Sequence, residues 1–326
     1  MDILYKYSGL LPYNYFDNPT IKLSVPEHLN DPFEYNTSKN IVLALKNNFL
    51  KIDMPEDKAN EYAEGYETSI INMISFNGIV SFTETPRNSL MWAHYASHHN
   101  GMCIGYKRKV LEHITPKKED YIDITVSSPT KINYDNLRFS SDYEFIDLAN
   151  ADRDAVIGHL LKKSDEWIYE KEHRCIIPYK NTSKIMFKTK DLEKSTSIVK
   201  GGDRRNLAES AVCIKEWIDE LTNEEIIEIV EIGYMSTYRL LPHKDKNKVV
   251  YTENALQLLT NYKELSFLID IEIENIESVY FGCKVNKDVV KEFFDRIDKR
   301  IKLYHFSICE ERFELKPVKI DDEYFK

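Results

Sequence analysis

The chain has 326 residues, 42% apolar and 12% aromatic, enough to bury the core of one large or two ordinary domains. A net charge of −10 argues against broad electrostatic capture of nucleic acid, whose affinity rests on neutralising phosphates. The five cysteines show no CxxC spacing and the ten glycines form neither GxxxxGK nor GxGxxG, so zinc sites, disulfide frameworks and the common nucleotide loops are unsupported.

In chain order, DILYKYSGLL alternates as a short strand, and TIKLSV gives a second strand that ends at Pro26. Asn30, Asp31 and Pro32 then build a turn, because Asn and Asp side chains bond nearby backbone amides. A helix is predicted over 54–75 with Pro55 in its first turn, followed by a strand in GIVSFTE. Asn88 or Ser89 caps a further helix over LMWAHYASHH, Gly101 ends it, and MCIGY follows as a strand. On that helix Leu90, Met91, His94 and Tyr95 lie on neighbouring lines, with His98 continuing them and His99 facing elsewhere.

Residues 153–166 read as a helix and IYEKEHRCIIPY as a strand, whose period of two sets Glu170, Glu172 and Arg174 on one face. Tyr169, Lys171, His173 and Cys175 take the other face. Residues 195–262 change character, with KGGDRR, helical stretches at 205–221 and 252–262, and an acidic NEEIIEIVEIG between them. No Pro- or Ser-rich linker brackets this stretch, so it reads as a helical elaboration inserted into the main domain. The tail supplies strands in FLIDIEI, SVYFG, KLYHFSIC and RFELKPV and a helix over KDVVKEFFDRIDKRI. The expected fold is α+β, a single domain with a mixed, mostly antiparallel central sheet flanked by helices. No segment approaches the roughly 20 apolar residues of a membrane span, and no targeting segment is visible, so a soluble cytoplasmic protein without a membrane partner is expected.

Several side chains invite a chemical reading. Asn30, Asp31 and Glu34 could sit at a cleft rim or merely cap their turn. His94 could serve as general acid or base, or be a core histidine with satisfied nitrogens. His94 and His98 have the i, i+4 spacing of metal ligands but no Glu between them as in HExxH, so no metal is expected. Glu172 is the best candidate for a charged catalytic group, and Arg174 either binds an anion or pairs with Glu170 or Glu172. Ser81 and Thr83 could line the same cleft. Lys107, Arg108 and Lys109, Lys117 and Lys118, and Lys162 and Lys163 form basic clusters that read as solvated faces.

Taken together, LYKY at 4–7, LNDPFE at 29–34, VSFTETPRNSLMWAHYASHHNGMCIGY and EWIYEKEHRCII resemble the bacterial domain-of-unknown-function family 2971. IESVYFGCKVNKDVVKEFF is similar to that family's closing segment, so the resemblance spans roughly 1–180 and 266–316. It implies a bacterial defence or toxin setting and, by motif order, an ADP-ribosyltransferase-like fold around NAD. Mapped by role, Tyr5, Lys6 and Tyr7 would form the first element, Ser81 with His94 and Tyr95 the second, and Glu172 the third. Ser8 stands where the family often has Arg after YKY, which puts anion binding there in doubt.

The first expectation is therefore an enzyme that cleaves NAD at the nicotinamide bond and passes ADP-ribose to water, protein or nucleic acid. Glu172 would stabilise the developing positive charge, and Trp92 and Tyr95 would shape the nicotinamide pocket. His94 and Asn30 would bond ribose or phosphate, with Asp31 and Arg174 among the other contacts. The alternatives are a non-catalytic module that senses a small ligand or phage component, and a nucleic-acid hydrolase using Asp31, Glu34 and Glu172 around Mg²⁺. Residues 195–262 would then be a lid or the seat of a partner or immunity protein.

Overall fold

Strand Ile3–Ser8 buries Leu4 and Tyr7 and lies inside an eight-stranded sheet in the computed structural model, which describes residues 2–115, 124–198 and 210–326. Across the sheet the strands run Leu315–Lys319, Lys302–Ile308, Ile276–Phe281, Met102–Lys107, Ile3–Ser8, Asn77–Thr83, Glu172–Pro178 and Val126–Lys131. All neighbours are antiparallel except Ile276–Phe281 and Lys302–Ile308. That parallel pair needs a crossover, which the helix Lys287–Arg296 supplies. The α+β class and the mixed sheet flanked by helices are thus those expected from the sequence.

The sheet is nearly split in its middle. Ile3–Ser8 pairs with Met102–Lys107 over six residues, but its register with Asn77–Thr83 is the single pair Tyr5 with Thr83. Where those two strands part, the Lys6 ammonium donates to the Ser81 carbonyl at 3.0 Å, so a side chain replaces a missing ladder bond.

A second sheet orders Ile227–Ile232, Met235–Leu240, Lys184–Lys188, Ser266–Asp270 and Thr20–Leu23. It is tied to the first through a bridge between Ser24 and Ile79. Leu23, Val80, Ile104, Phe187 and Phe267 belong to one apolar core shared by the two sheets. A separate core joins Ile79 and Ile176 of the first sheet to three helices, Lys39–Lys51, Glu56–Phe76 and Ala151–Leu160.

Some elements differ from expectation for local reasons. Lys39–Lys51 is a helix beyond those expected from the sequence; Ser38 accepts a bond from the Asn40 amide as its cap, and Ile41, Ala44, Leu45 and Phe49 are buried at helical spacing. The helix predicted over 153–166 stops at Leu160, because the Ser164 side chain caps a new 3₁₀ turn, Asp165–Glu170. Residues 195–262 hold the helices Ile214–Asn223 and Lys246–Leu259, but the acidic stretch between them is half of a hairpin. Its alternation IEIVEI has the period of a strand, so the segment completes the second sheet and is more than a helical elaboration. KGGDRR lies outside the described residues, as do Lys117 and Lys118. Among the described residues no helix is long and apolar enough to cross a membrane.

Candidate functional site

The strand expected from Ile168 onward begins only at Glu172. Lys171 takes φ 46°, a left-handed conformation that ends the 3₁₀ turn and redirects the chain into the strand. Despite this kink, Glu170, Glu172 and Arg174 come together, and Glu34 and Lys163 join them. All five side chains are buried.

Arg174 is the centre of this cluster. Its Nε donates to Glu172 Oε1 at 2.6 Å and its Nη2 to Glu172 Oε2 at 3.0 Å and Glu34 Oε1 at 2.7 Å. Nη1 donates to Glu34 Oε2 and to the Leu160 carbonyl. A guanidinium has five N–H donors, and all five are spent inside the protein. Arg174 is therefore a clamp rather than a ligand-binding residue, although it borders the cavity described below.

Lys163 bonds Glu170 at 2.8 Å and lies 3.4 Å from Glu172 and 3.5 Å from Glu34, with its ammonium 4.5 Å from the centre of the Trp167 ring. The solvated face expected for Lys162 and Lys163 is thus wrong for Lys163; Lys162 pairs with Asp135 nearer the surface. Burial alone would lower the Lys163 ammonium, but the three carboxylates outweigh it and raise its pKa. Burial likewise works against ionising Glu172, yet Arg174 and Lys163 overcome it and hold the carboxyl at about 2. Three carboxylates against two cations leave one negative charge in the cluster, with the Lys6 ammonium also on the cavity wall.

This gives a pH prediction. A carboxyl held below its ordinary value contributes stability that is complete above the ordinary carboxylate range and is lost as pH falls toward about 2. Thermal melts from neutral pH downward should show an acid loss of stability that is shallower in Glu172→Gln, which has no carboxylate there to protonate.

Where the central sheet splits, a cavity of about 340 Å³ lies against the cluster. Tyr5, Lys6, Tyr7, Ser81 and Thr83 line it from the parted strands, and Asn30, Tyr95, Glu172 and Arg174 are further expected residues found there. Glu34, Lys163, Glu170 and Lys22 also line it. Lys6 is pulled down to about 8 by burial and by the neighbouring Lys22. The Tyr95 hydroxyl donates to Glu170 Oε1 at 2.6 Å and accepts from Asn30 Nδ2 at 3.5 Å. Burial and this carboxylate push the Tyr95 phenol up, so it stays a neutral donor.

Three expected residues do not reach this cavity. Trp92 is fully buried, its Nε1 donates to the Pro86 carbonyl at 2.7 Å, and its ring meets Tyr7 and Phe306 edge-on. It packs and does not stack on a ligand. Asp31 accepts from the Phe33 amide at 2.9 Å and lines a neighbouring cavity of about 200 Å³, so it caps its turn. His94 is exposed on the helix Ser89–Tyr95. That helix ends at Tyr95, because Ser97, His98 and His99 adopt φ of 48°, 54° and 72°. The expected His94 and His98 alignment is therefore absent. Gly101 closes the reversal, where a Cβ would lie 2.2 Å from the Ser8 carbonyl.

Asp31, Glu34 and Glu172 do not converge as metal donors, since Arg174 clamps two and a turn holds the third. Among the described residues no group of three or more His, Cys, Asp or Glu is placed to hold a metal ion. Glu170 and Lys163 are the residues that sequence reasoning undervalued. The signal was electrostatic, since Glu34, Glu170 and Glu172 around one Arg require a second cation nearby.

A family profile described as protein of unknown function (DUF2971) matches residues 91–175. Over residues 91–175 the chain is similar to that family. The DUF2971 match contains Tyr95, Lys163, Glu170, Glu172 and Arg174, whereas the strand with Lys6 and the turn with Glu34 lie outside it. No curated protein and no solved structure matches the chain.

Proposed function

We propose that the cavity at the sheet split binds NAD and that the protein breaks its nicotinamide glycosidic bond, passing ADP-ribose to water or to a protein or nucleic-acid acceptor. The observation that carries this reading is the unequal state of two neighbouring carboxylates. Glu172 accepts two bonds from Arg174, a contact from Lys163 and a bond from Ser81, which fills its capacity. Glu170 accepts one bond from Tyr95 and one from Lys163, which leaves lone pairs open on the cavity wall.

In this reading Glu170 faces the reacting ribose and Glu172 fixes its surroundings. As the C1′–N bond breaks, nicotinamide leaves with the bonding electrons and positive charge grows on the ribose, where a buried carboxylate stabilises it. The incoming hydroxyl bonds to C1′ and gives its proton to Glu170. Lys6 and Lys22 provide charge for the diphosphate in a chain without a glycine-rich phosphate loop. The bacterial defence or toxin setting that we attach to this activity rests on sequence resemblance.

Nicotinamide release from NAD, followed with and without a lysate as acceptor source, tests the proposal. Glu170→Gln should lower release about 100-fold or more, the scale of losing a positioned acid–base group, while keeping its melting temperature. Equal release from wild type and Glu170→Gln would sink it. The second reading is a ligand-binding module without turnover, favoured by the full commitment of Arg174 and Glu172 to each other and their neighbours. Ligand binding without release under either condition would select it.

A further inference from the structure

A third cavity, of about 660 Å³, opens between the 3₁₀ turn Tyr179–Asn181 and the helix Lys246–Leu259, outside the family match. It is lined by polar Thr182 and His243, by Lys180 and Lys246, and by apolar Leu241 and Val250. Thr182 is 5% exposed, and its Oγ1 is buried without a hydrogen-bond partner among the described residues. His243 Nε2 is in the same condition. Buried polar atoms almost always find a partner, so two orphans on residues lining one cavity call for a ligand.

The charge of the site narrows that ligand. Lys180 lies 3.5 Å from Glu253, which also lines the cavity, and Lys246 adds a second cation to the lining. Asp245 already accepts from the Asn247 and Lys248 amides, so the helix start is capped and the positive charge comes from the lysines. Val250 is 55% exposed, giving an apolar wall beside the polar groups.

We propose that this cavity binds a small carboxylic acid with a short apolar body. Its carboxylate accepts from the Thr182 hydroxyl, from His243 in the tautomer protonated at Nε2, and from the Lys246 ammonium, while its chain lies on Leu241 and Val250. The assignment is independent of NAD chemistry, because it shares no residue with the cavity at the sheet split.

Calorimetric titration of the full chain with hexanoate tests it, with hexan-1-ol and inorganic phosphate as comparisons. Saturable heat from hexanoate but not from the other two is expected. Thr182→Val, which exchanges an unpartnered hydroxyl for a methyl, should fold with a melting temperature at or above wild type and bind hexanoate about tenfold more weakly. Lys246→Ala should weaken binding to a similar degree. No saturable heat from hexanoate, equal binding of hexan-1-ol, tighter binding of phosphate, or unchanged affinity in either variant would overturn the proposal.

Discussion

Arg174→Ala is expected to lower folding stability by about 3–5 kcal/mol, the range for removing one partner of a buried ion pair. The size follows from what remains. Glu34 and Glu172 stay buried, each losing two charge-assisted bonds, and only Lys163 is left to balance the carboxylates. The Leu160 carbonyl loses its donor as well. Arg174→Lys keeps the charge but cannot hold two carboxylates and a carbonyl with five directed donors, so its loss should be intermediate. Urea unfolding of the three proteins measures the order directly. An Arg174→Ala protein as stable as wild type would mean that the cluster does not hold the sheet to the turn at Glu34.

Trp92→Ala should cost about 3–5 kcal/mol, as large aromatic truncations in packed cores do. The indole is fully buried, with ring centroids 5.1 Å from Tyr7 and 5.4 Å from Phe306, and its Nε1 bond to Pro86 holds the approach to the helix. Trp92→Phe keeps most of the apolar volume and loses the hydrogen bond, so it should cost less. Because Tyr95 sits one turn further along that helix, the alanine variant should also displace Tyr95 from Glu170. Thermal unfolding monitored by tryptophan-independent circular dichroism separates the two variants. A melting temperature for Trp92→Ala within a degree or two of wild type would contradict the packing role.

The fold was legible where period and caps agree. Ser81, Glu172 and Arg174 fell on one cavity because strand alternation fixes side-chain direction, and Asn88 capped its helix through the Leu90 and Met91 amides. Tertiary contacts decided the rest. Nothing local distinguishes an exposed Lys163 from one drawn inward by Glu170 and Glu172, nor marks three successive left-handed residues at Ser97, His98 and His99. That turn is why His94, attractive as part of a histidine-rich helix, stays at the surface while Tyr95 reaches the cavity. Glu170 and Glu172 differ in the hydrogen bonds they accept, and two of the donors, Tyr95 and Ser81, lie far from them in the sequence.

We propose the cavity at the sheet split as an NAD site in which Glu170 does chemistry and Lys6 meets the phosphates. Its most direct test is a calorimetric titration of Glu170→Gln with NAD at pH 7 and pH 9, since this variant should bind without consuming the ligand. Lys6, held at about 8, is mainly charged at the lower pH and mainly neutral at the higher one. Saturable one-to-one binding is expected at pH 7, weakening at pH 9. Absence of saturable heat at pH 7 from a folded protein would contradict it.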